Sequence, residues 1–394
     1  MSPHIVIYTD DPDKGGVAQY NHRIALGLRA AGHRVSIVQS RSESWMVGQQ
    51  AAAGIGHWWI GYDTQKDFSP TISDTTPAER AFAELKPDFV LFSDCCPVSN
   101  LAAREVAIRR RLPFMVVVNF AAPYLAERFA PCLRVLARHY AVAREVVAVS
   151  TENLDLLRRR FGLATDKGKV VFYGVPANFF SARDDEARRA LRQEHGLGDD
   201  VLVSLTAARL AEVKLHVLQI HAAELLKRRL PKARFACVWV GDGELRGQLA
   251  AEIGRRNLSE HFIFAGQQRD VAPWYDMADL FTLTSQSEGM PIAIMEAMAK
   301  GLPVAATAVS GIPEELGDTG QLLPDPARDL AGVVRDLALV WERWSKQPAV
   351  RLEQGQRSRA RAERYFRVEQ MVAQTLGLIR THLEAAPLAL ASAS

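Results

Sequence analysis

Short runs of β-branched and aromatic residues alternate with longer amphipathic stretches from one end of this chain to the other, the rhythm of parallel strands joined by crossover helices. Most of the short runs are apolar throughout rather than at every second position, so their sheets are covered on both faces. The fold class is therefore α/β. In the first half the strand candidates are 4–10, 34–39, 57–61, 89–93, 114–119, 146–150 and 170–173, with helices opening after Gly16, after Pro77, near Asn100, near Pro131 and after Thr151. A second series runs through 201–206, 235–240, 262–265, 280–284 and 303–307. From Ala327 onward the pattern is helical, with no strand left to pair.

A chain of 394 residues is long for one core and suits two α/β domains of roughly 150 residues or more each. The turn-rich stretch Gly174-Val175-Pro176-Ala177-Asn178-Phe179-Phe180 separates the two series, which places the domains at 1–178 and 179–386. The last helix is free to cross back onto the first domain, and 387–394 reads as a disordered tail. With 48% hydrophobic and 24% charged residues, both domains can bury cores.

A net charge of +3, without a nucleic-acid-binding motif, argues against DNA or RNA as a partner. Residues 1–180 carry about +4 and the remainder about −1, with clusters at Arg109, Arg110, Arg111 and at Arg158, Arg159, Arg160. These are either solvated helix ends or a docking face for an anionic membrane or acceptor. Cys95, Cys96, Cys132 and Cys237 lack zinc spacing and read as reduced thiols. The N-terminus enters a strand directly, and no stretch reaches the roughly 20 apolar residues of a membrane span. These features predict a cytoplasmic protein, with peripheral contact at the inner membrane face as the variant that the basic first half allows.

The most informative segment runs from Ser285 to Gly301. A strand ends, a small polar loop carries Glu288 and Gly289, and a helix opens at Pro291 and closes at Gly301. A helix N-terminus at the carboxyl end of a parallel strand is where open α/β sheets bind ligands, and its backbone N–H groups attract phosphate. Glu288 and Glu296 are eight positions apart, roughly 12 Å at helical rise. That suits one ligand gripped at two places and is too wide for a pair of glycosidase carboxylates, which stand less than about 10 Å apart. Arg209 and Lys214 follow the strand candidate 201–206, where two cations can neutralise a pyrophosphate leaving group. Gly241-Asp242-Gly243 follows 235–240, and its glycines admit close backbone approach. The triplet fails as a dinucleotide fingerprint, since Arg246 stands at the third glycine. Gly15-Gly16 follows the first strand and precedes a helix. No Asp-x-Asp metal motif is present, so neither a metal nor another cofactor is expected.

Together, Ala208-Arg209-Leu210 with Lys214, Val240-Gly241-Asp242-Gly243, Phe264-Ala265-Gly266, Glu288 with Glu296, and Gly311-Ile312-Pro313-Glu314 resemble the retaining glycosyltransferases of family 4. The likeness is firmest over 201–323 and weaker over nearly the whole chain. It implies the GT-B fold: two Rossmann-like domains with parallel sheets facing a central cleft, the first binding acceptor and the second a nucleotide-sugar donor. By resemblance, Arg209 and Lys214 would bind the donor pyrophosphate. Glu288 would contact the hexose, aided by the backbone N–H groups of Gly289, Met290 and Ile292 on the donor-binding turn that includes Pro291, and Glu296 would hold the ribose. The segment from Gly266 to Val271 would sit near the base, and Gly16 would approach the phosphates. Two positions depart from the family. Asn119 stands where a histidine often contributes to the donor-sugar environment, leaving Asn119 as a candidate sugar or acceptor contact that cannot take up a proton at neutral pH. Leu215 replaces the glycine usual after the motif lysine.

The reading is therefore transfer of a hexose-type sugar, with retention and without metal, from a nucleoside diphosphate of UDP type to a glycan, lipid-linked or small-molecule acceptor. Trp45, Trp58, Trp59, Phe120 and Tyr124 are aromatic candidates for stacking on that acceptor or for core packing. The alternatives are a nucleotide-sugar epimerase or hydrolase of the same architecture, or a nucleotide-sugar-binding protein without catalysis.

Overall fold

The computed structural model describes residues 2–11, 15–42 and 44–384. Its contacts divide the chain into two compact units, one formed by the chain up to Tyr173 and again from Val368, the other by Gly174–Arg367.

The first unit is built on a seven-stranded sheet: β1 (His4–Thr9), β2 (Arg34–Ser40), β3 (Gly56–Ile60), β4 (Phe89–Asp94), β5 (Phe114–Val118), β6 (Glu145–Ala148) and β7 (Lys169–Val170). All neighbours pair parallel, in the order β3-β2-β1-β4-β5-β6-β7. Every residue of β1, β4 and β5 is buried, as their uninterrupted apolar runs require of strands with helices on both faces. The second unit holds β8 (Leu202–Ala207), β9 (Phe235–Val240), β10 (Phe262–Gly266), β11 (Leu280–Leu283), β12 (Val304–Thr307) and β13 (Gln321–Leu323), in the order β10-β9-β8-β11-β12-β13 and again parallel. In each sheet the chain winds outward from its first strand, then restarts on that strand's other side. The reversal leaves a switch point between β1 and β4 in one unit and between β8 and β11 in the other, and crossover loops part there at the carboxyl ends of the strands.

Two expectations change, and the course of the last helix is fixed. The chain leaves the first unit at Tyr173, not at 178, because the turn-rich connection is held inside the second unit: the Val175 N–H donates to the Phe366 carbonyl at 2.8 Å, and the Arg367 guanidinium lies 4.4 Å from the centre of the Phe180 ring. The helix Val368–Glu384 packs on the first unit, with Met371, Thr375 and Ile379 buried and the hydroxyls of Thr375 and Tyr20 3.5 Å apart. β13 is a sixth strand that sequence periodicity missed, being three residues long with a polar first member. The expected tail at 387–394 lies outside the described residues. No helix among those described is long and apolar enough to cross a membrane.

The helix Ile292–Ala299, which carries Glu296, is buried at seven of its eight positions. The helix Pro348–Tyr365 reaches it through paired glycines: a Cβ on Gly355 would fall 2.1 Å from the Gly301 carbonyl oxygen. Alanine normally gains about 1 kcal/mol over glycine inside a helix. Here the added methyl meets backbone, and overpacking of this kind costs about 1–3 kcal/mol or more. Gly355→Ala should therefore lower the midpoint of thermal unfolding, and a variant at least as stable as the parent would show that the two helices are free to separate.

Candidate functional site

The switch point of the second sheet gathers three loops. After β8 the chain passes Arg209, which is exposed, buries Leu210, and turns through a short 3-10 segment, Glu212–Lys214, into the helix His216–Arg229. The turn depends on Leu215 in the left-handed region, at φ 47° and ψ 40°, a conformation that costs a side-chain-bearing residue roughly 1–2 kcal/mol relative to glycine. Packing of the Leu215 side chain on the second unit's core offsets that strain. Leu215 thus keeps the backbone shape that a glycine would give. Thr284, at the end of β11, donates its hydroxyl to the Lys214 carbonyl at 3.1 Å, and the Gln286 N–H donates to the Val213 carbonyl at 2.8 Å.

These bonds bring Lys214 onto Glu288. The Lys214 Nζ stands 2.5 Å from Glu288 Oε1, and the Ser285 hydroxyl donates to the same oxygen at 2.5 Å. Both charged side chains are largely withdrawn from water, 19% and 11% exposed, so bulk solvent screens their attraction only partly. The loop after β12 closes the arrangement: the Glu288 N–H donates to the Ser310 hydroxyl at 3.1 Å and the Gly311 N–H to the Gly289 carbonyl at 3.2 Å. Met290, Pro291 and Ile292 then lead into the helix Ile292–Ala299, whose N-terminus adds its partial positive charge at the same strand end. An ammonium, a carboxylate and a helix N-terminus together can hold a ligand that is anionic at one point and hydroxyl-rich at another.

The remaining second-unit residues fall into place differently from the sequence reading. Gly241 and Gly243 do make room for backbone, but for the chain's own: Cβ atoms there would lie 2.1 Å from the Ala208 carbonyl oxygen and 2.5 Å from that of Leu210. The Leu210 N–H donates to the Asp242 carbonyl at 3.0 Å, and the Gly241 N–H to that of Gly266 at 2.8 Å. The triplet therefore seats the loop that carries Arg209, while the Asp242 carboxylate remains at the exposed surface, 3.8 Å from Arg246. Glu296 is 7% exposed and accepts the Tyr275 hydroxyl at 2.7 Å. The helical-rise spacing between Glu288 and Glu296 needs correction, since the helix begins only at Ile292 and Glu288 lies on the preceding loop.

In the first unit, Gly15 caps and Gly16 opens the helix Gly16–Ala30. Asn119 is 3% exposed and its amide is used internally: the oxygen accepts the Tyr173 hydroxyl at 2.5 Å, and the nitrogen donates to Ser93 Oγ and to the Asp94 carbonyl. As placed, it braces the ends of β4 and β5. Arg109 and Arg110 both grip Glu79, and Arg158 donates to the Lys167 carbonyl, as solvated helix ends do. Among the aromatic candidates Trp45, Trp59 and Tyr124 are exposed, while Trp58 and Phe120 pack on the core. The four cysteines are unpaired.

Sequence reasoning missed Glu315. It follows Pro313-Glu314 and reads as the acidic first turn of a surface helix, yet it is wholly buried and neither carboxyl oxygen has a hydrogen-bond partner. Burial pushes its pKa well above the ordinary carboxylate range, and the negative charge of Glu288 pushes the same way against the weaker pull of Arg361. Lys214 is thus matched by the Glu288 carboxylate, while burial favours the neutral form of Glu315. A carboxyl whose folded pKa is raised contributes stability fully below its unfolded value of 4.5 and loses it as the pH climbs towards the folded value. Between the unfolded value and the raised folded one the loss runs at about 1.4 kcal/mol per pH unit. Denaturant titrations of Glu315→Gln and the parent should diverge by that slope, the variant gaining relative stability as the pH rises. Parallel curves would mean that Glu315 is ionised in the folded protein.

Comparison with known proteins agrees with this geometry. Residues 187–348 match the family described as Glycosyl transferases group 1, and residues 14–179 match Glycosyltransferase Family 4. The chain is 30% identical over 234 residues to a D-inositol 3-phosphate glycosyltransferase of Streptomyces coelicolor, a match covering 53% of this chain and 51% of that protein. It is 25% identical over 339 residues to a GDP-mannose-dependent alpha-(1-6)-phosphatidylinositol monomannoside mannosyltransferase of Mycolicibacterium smegmatis, covering 81% of this chain and 85% of the other. The chain spans about half the length of the Streptomyces relatives it matches. Among solved structures, Anabaena Alr3699/HepE in complex with UDP and glucose superposes with a TM-score of 0.79 over 96% of this chain and 100% of that one, at 19% identity, which is a likeness of fold.

Proposed function

We propose that this chain, which belongs to the glycosyltransferases of family 4, moves a hexose-type sugar from a nucleoside diphosphate to a hydroxyl-bearing acceptor with retention of configuration and without a metal ion. The observation that carries the proposal is the 2.5 Å contact between Lys214 and Glu288 at the switch point of the second sheet. The pair is preassembled: a donor diphosphate draws the Lys214 ammonium towards its own charge and leaves the Glu288 carboxylate to accept hydrogen bonds from hexose hydroxyls. Arg209, on the same loop, is the second cation for the diphosphate as it departs. Charge neutralisation by two side chains and a helix N-terminus fills the role that a divalent cation would otherwise take. The departing phosphate then removes the acceptor proton on the face from which it leaves, and no protein nucleophile is required.

A UDP donor is the form proposed, on the strength of the Anabaena complex; the mannosyltransferase relative is described as GDP-mannose-dependent, so the base is to be settled by measurement. A thermal-shift screen of nucleotide sugars does this, because a ligand that binds only the folded state raises its stability by RT ln(1 + [L]/Kd), about 2.7 kcal/mol at a hundredfold excess over Kd. Lys214→Ala and Glu288→Ala should each cut transfer by about two orders of magnitude or more, comparable to the loss of one oriented charge-stabilising group, while circular dichroism shows intact secondary structure. Near-normal turnover in both variants would overturn the assignment. Donor consumption without added acceptor would instead identify a hydrolase or epimerase, and donor binding with no turnover across a broad acceptor panel a binding protein.

A further inference from the structure

The opposite edge of the second sheet carries a cavity that the transfer reaction does not use. It opens where Val201-Leu202, Arg234 and Asp279 lead into β8, β9 and β11, at the amino ends of strands whose carboxyl ends hold Lys214 and Glu288. The six residues of β8 put about 17 Å between those edges. The cavity is open to solvent and offers about 680 Å³, within the range of about 300–1,000 Å³ typical of small-molecule sites. Its floor is apolar, with Val201 and Leu202 each 6% exposed.

Its rim is cationic in excess. Asp279 is already saturated: it accepts from Arg188 at 2.8 Å, from Arg192 at 3.3 Å and from the Val203 N–H at 2.9 Å. Arg229 is held by Glu342 and Arg234 by Asp200, each at 2.6 Å. Two lining cations are left over. Lys232 makes no ion pair among the described residues. Arg351 donates to the Trp344 carbonyl at 3.2 Å and stands 4.0 Å from an Asp279 that two other arginines already neutralise. Against them stands one further lining acid, Asp199.

We propose that this cavity is a second ligand site, which takes a phosphate monoester: the dianion meets Lys232 and Arg351, and the carbon body lies on Val201 and Leu202. Asp199 offsets one of the two spare cations, so the lining keeps a surplus of one positive charge that an anion satisfies, and an apolar floor under a charged rim favours a phosphate attached to carbon over phosphate alone.

Isothermal titration of the full chain with phenyl phosphate tests this without reliance on catalysis. One saturable equivalent should bind to the parent and equally to Lys214→Ala. Lys232→Glu, a change at an exposed turn, should weaken that binding at least tenfold, and Arg351→Gln should weaken it similarly. Inorganic phosphate should bind the same site more weakly than phenyl phosphate. Absence of saturable binding, or binding that disappears in Lys214→Ala and persists in Lys232→Glu, would overturn the proposal; the second outcome would place the probe at the Lys214 site and leave the glycosyltransferase reading intact.

Discussion

The contact between Lys214 and Glu288 depends on the order of strands more than on either residue. In sequence the two are 74 positions apart. They meet because β8 and β11 are neighbours, and those strands are neighbours only because the chain reverses its winding after β10. Each loop is then pinned to the next, by backbone bonds from Gln286 to Val213 and from Gly311 to Gly289 and by the hydroxyls of Thr284 on Lys214 and of Ser310 on Glu288. The ion pair is the visible end of this stitching. A charge pair of such limited exposure adds little net stability, because desolvation offsets much of its attraction. Its presence is better explained by what it can offer a ligand than by what it does for folding.

The alternation of strands and helices was legible because both-face burial writes itself as apolar runs, and all seven strands of the first sheet could be located. β13 was not, since three residues beginning with glutamine leave no period to detect. The crossing point between units was displaced because Gly174 to Phe180 has turn composition, while its allegiance is set by Phe366 and Arg367, some 190 residues later. Local composition cannot encode a partner at that distance. The return of Val368–Glu384 to the first unit is of the same kind: an amphipathic helix announces that it needs a partner, not which one.

At the candidate site, residue types at strand ends pointed to Arg209, Lys214 and Glu288 as candidates, since open parallel sheets commonly bind ligands at their carboxyl edge, and the structure brings Lys214 and Glu288 together. What each remaining residue touches was not legible. Asn119 read as a candidate sugar or acceptor contact, and only the structure shows that Tyr173, Ser93 and the Asp94 carbonyl take up its amide. Gly241 and Gly243 have the right freedom for a nucleotide, but the Arg209 loop occupies the space. A Pro-Glu-Glu run reads as a polar helix start, and only tertiary packing shows that its second acid points inward.

Several local costs in each unit lie at or just beyond the carboxyl ends of strands. In the second unit, Leu215 and Ser310 hold positive φ, Glu315 is buried without a partner, and neither ring nitrogen of His216 is bonded while burial drives its pKa down to about 3. All four lie on or just beyond the loops after β8 and β12. In the first unit, Asp10 follows β1 and Asp94 ends β4; both are wholly buried. Asp94 is pushed up to about 7 by desolvation in spite of Arg104, whose guanidinium stands 3.4 Å away, and Asn100. A sheet under selection for stability alone would fill such positions with glycine or apolar side chains, as it fills the strands themselves. Positive φ also occurs at Lys86, Arg111 and Asn257, ahead of the strands, so strain alone does not mark the switch points; the wholly buried carboxyls of Asp10, Asp94 and Glu315 at or beyond strand ends are what packing by itself leaves unexplained.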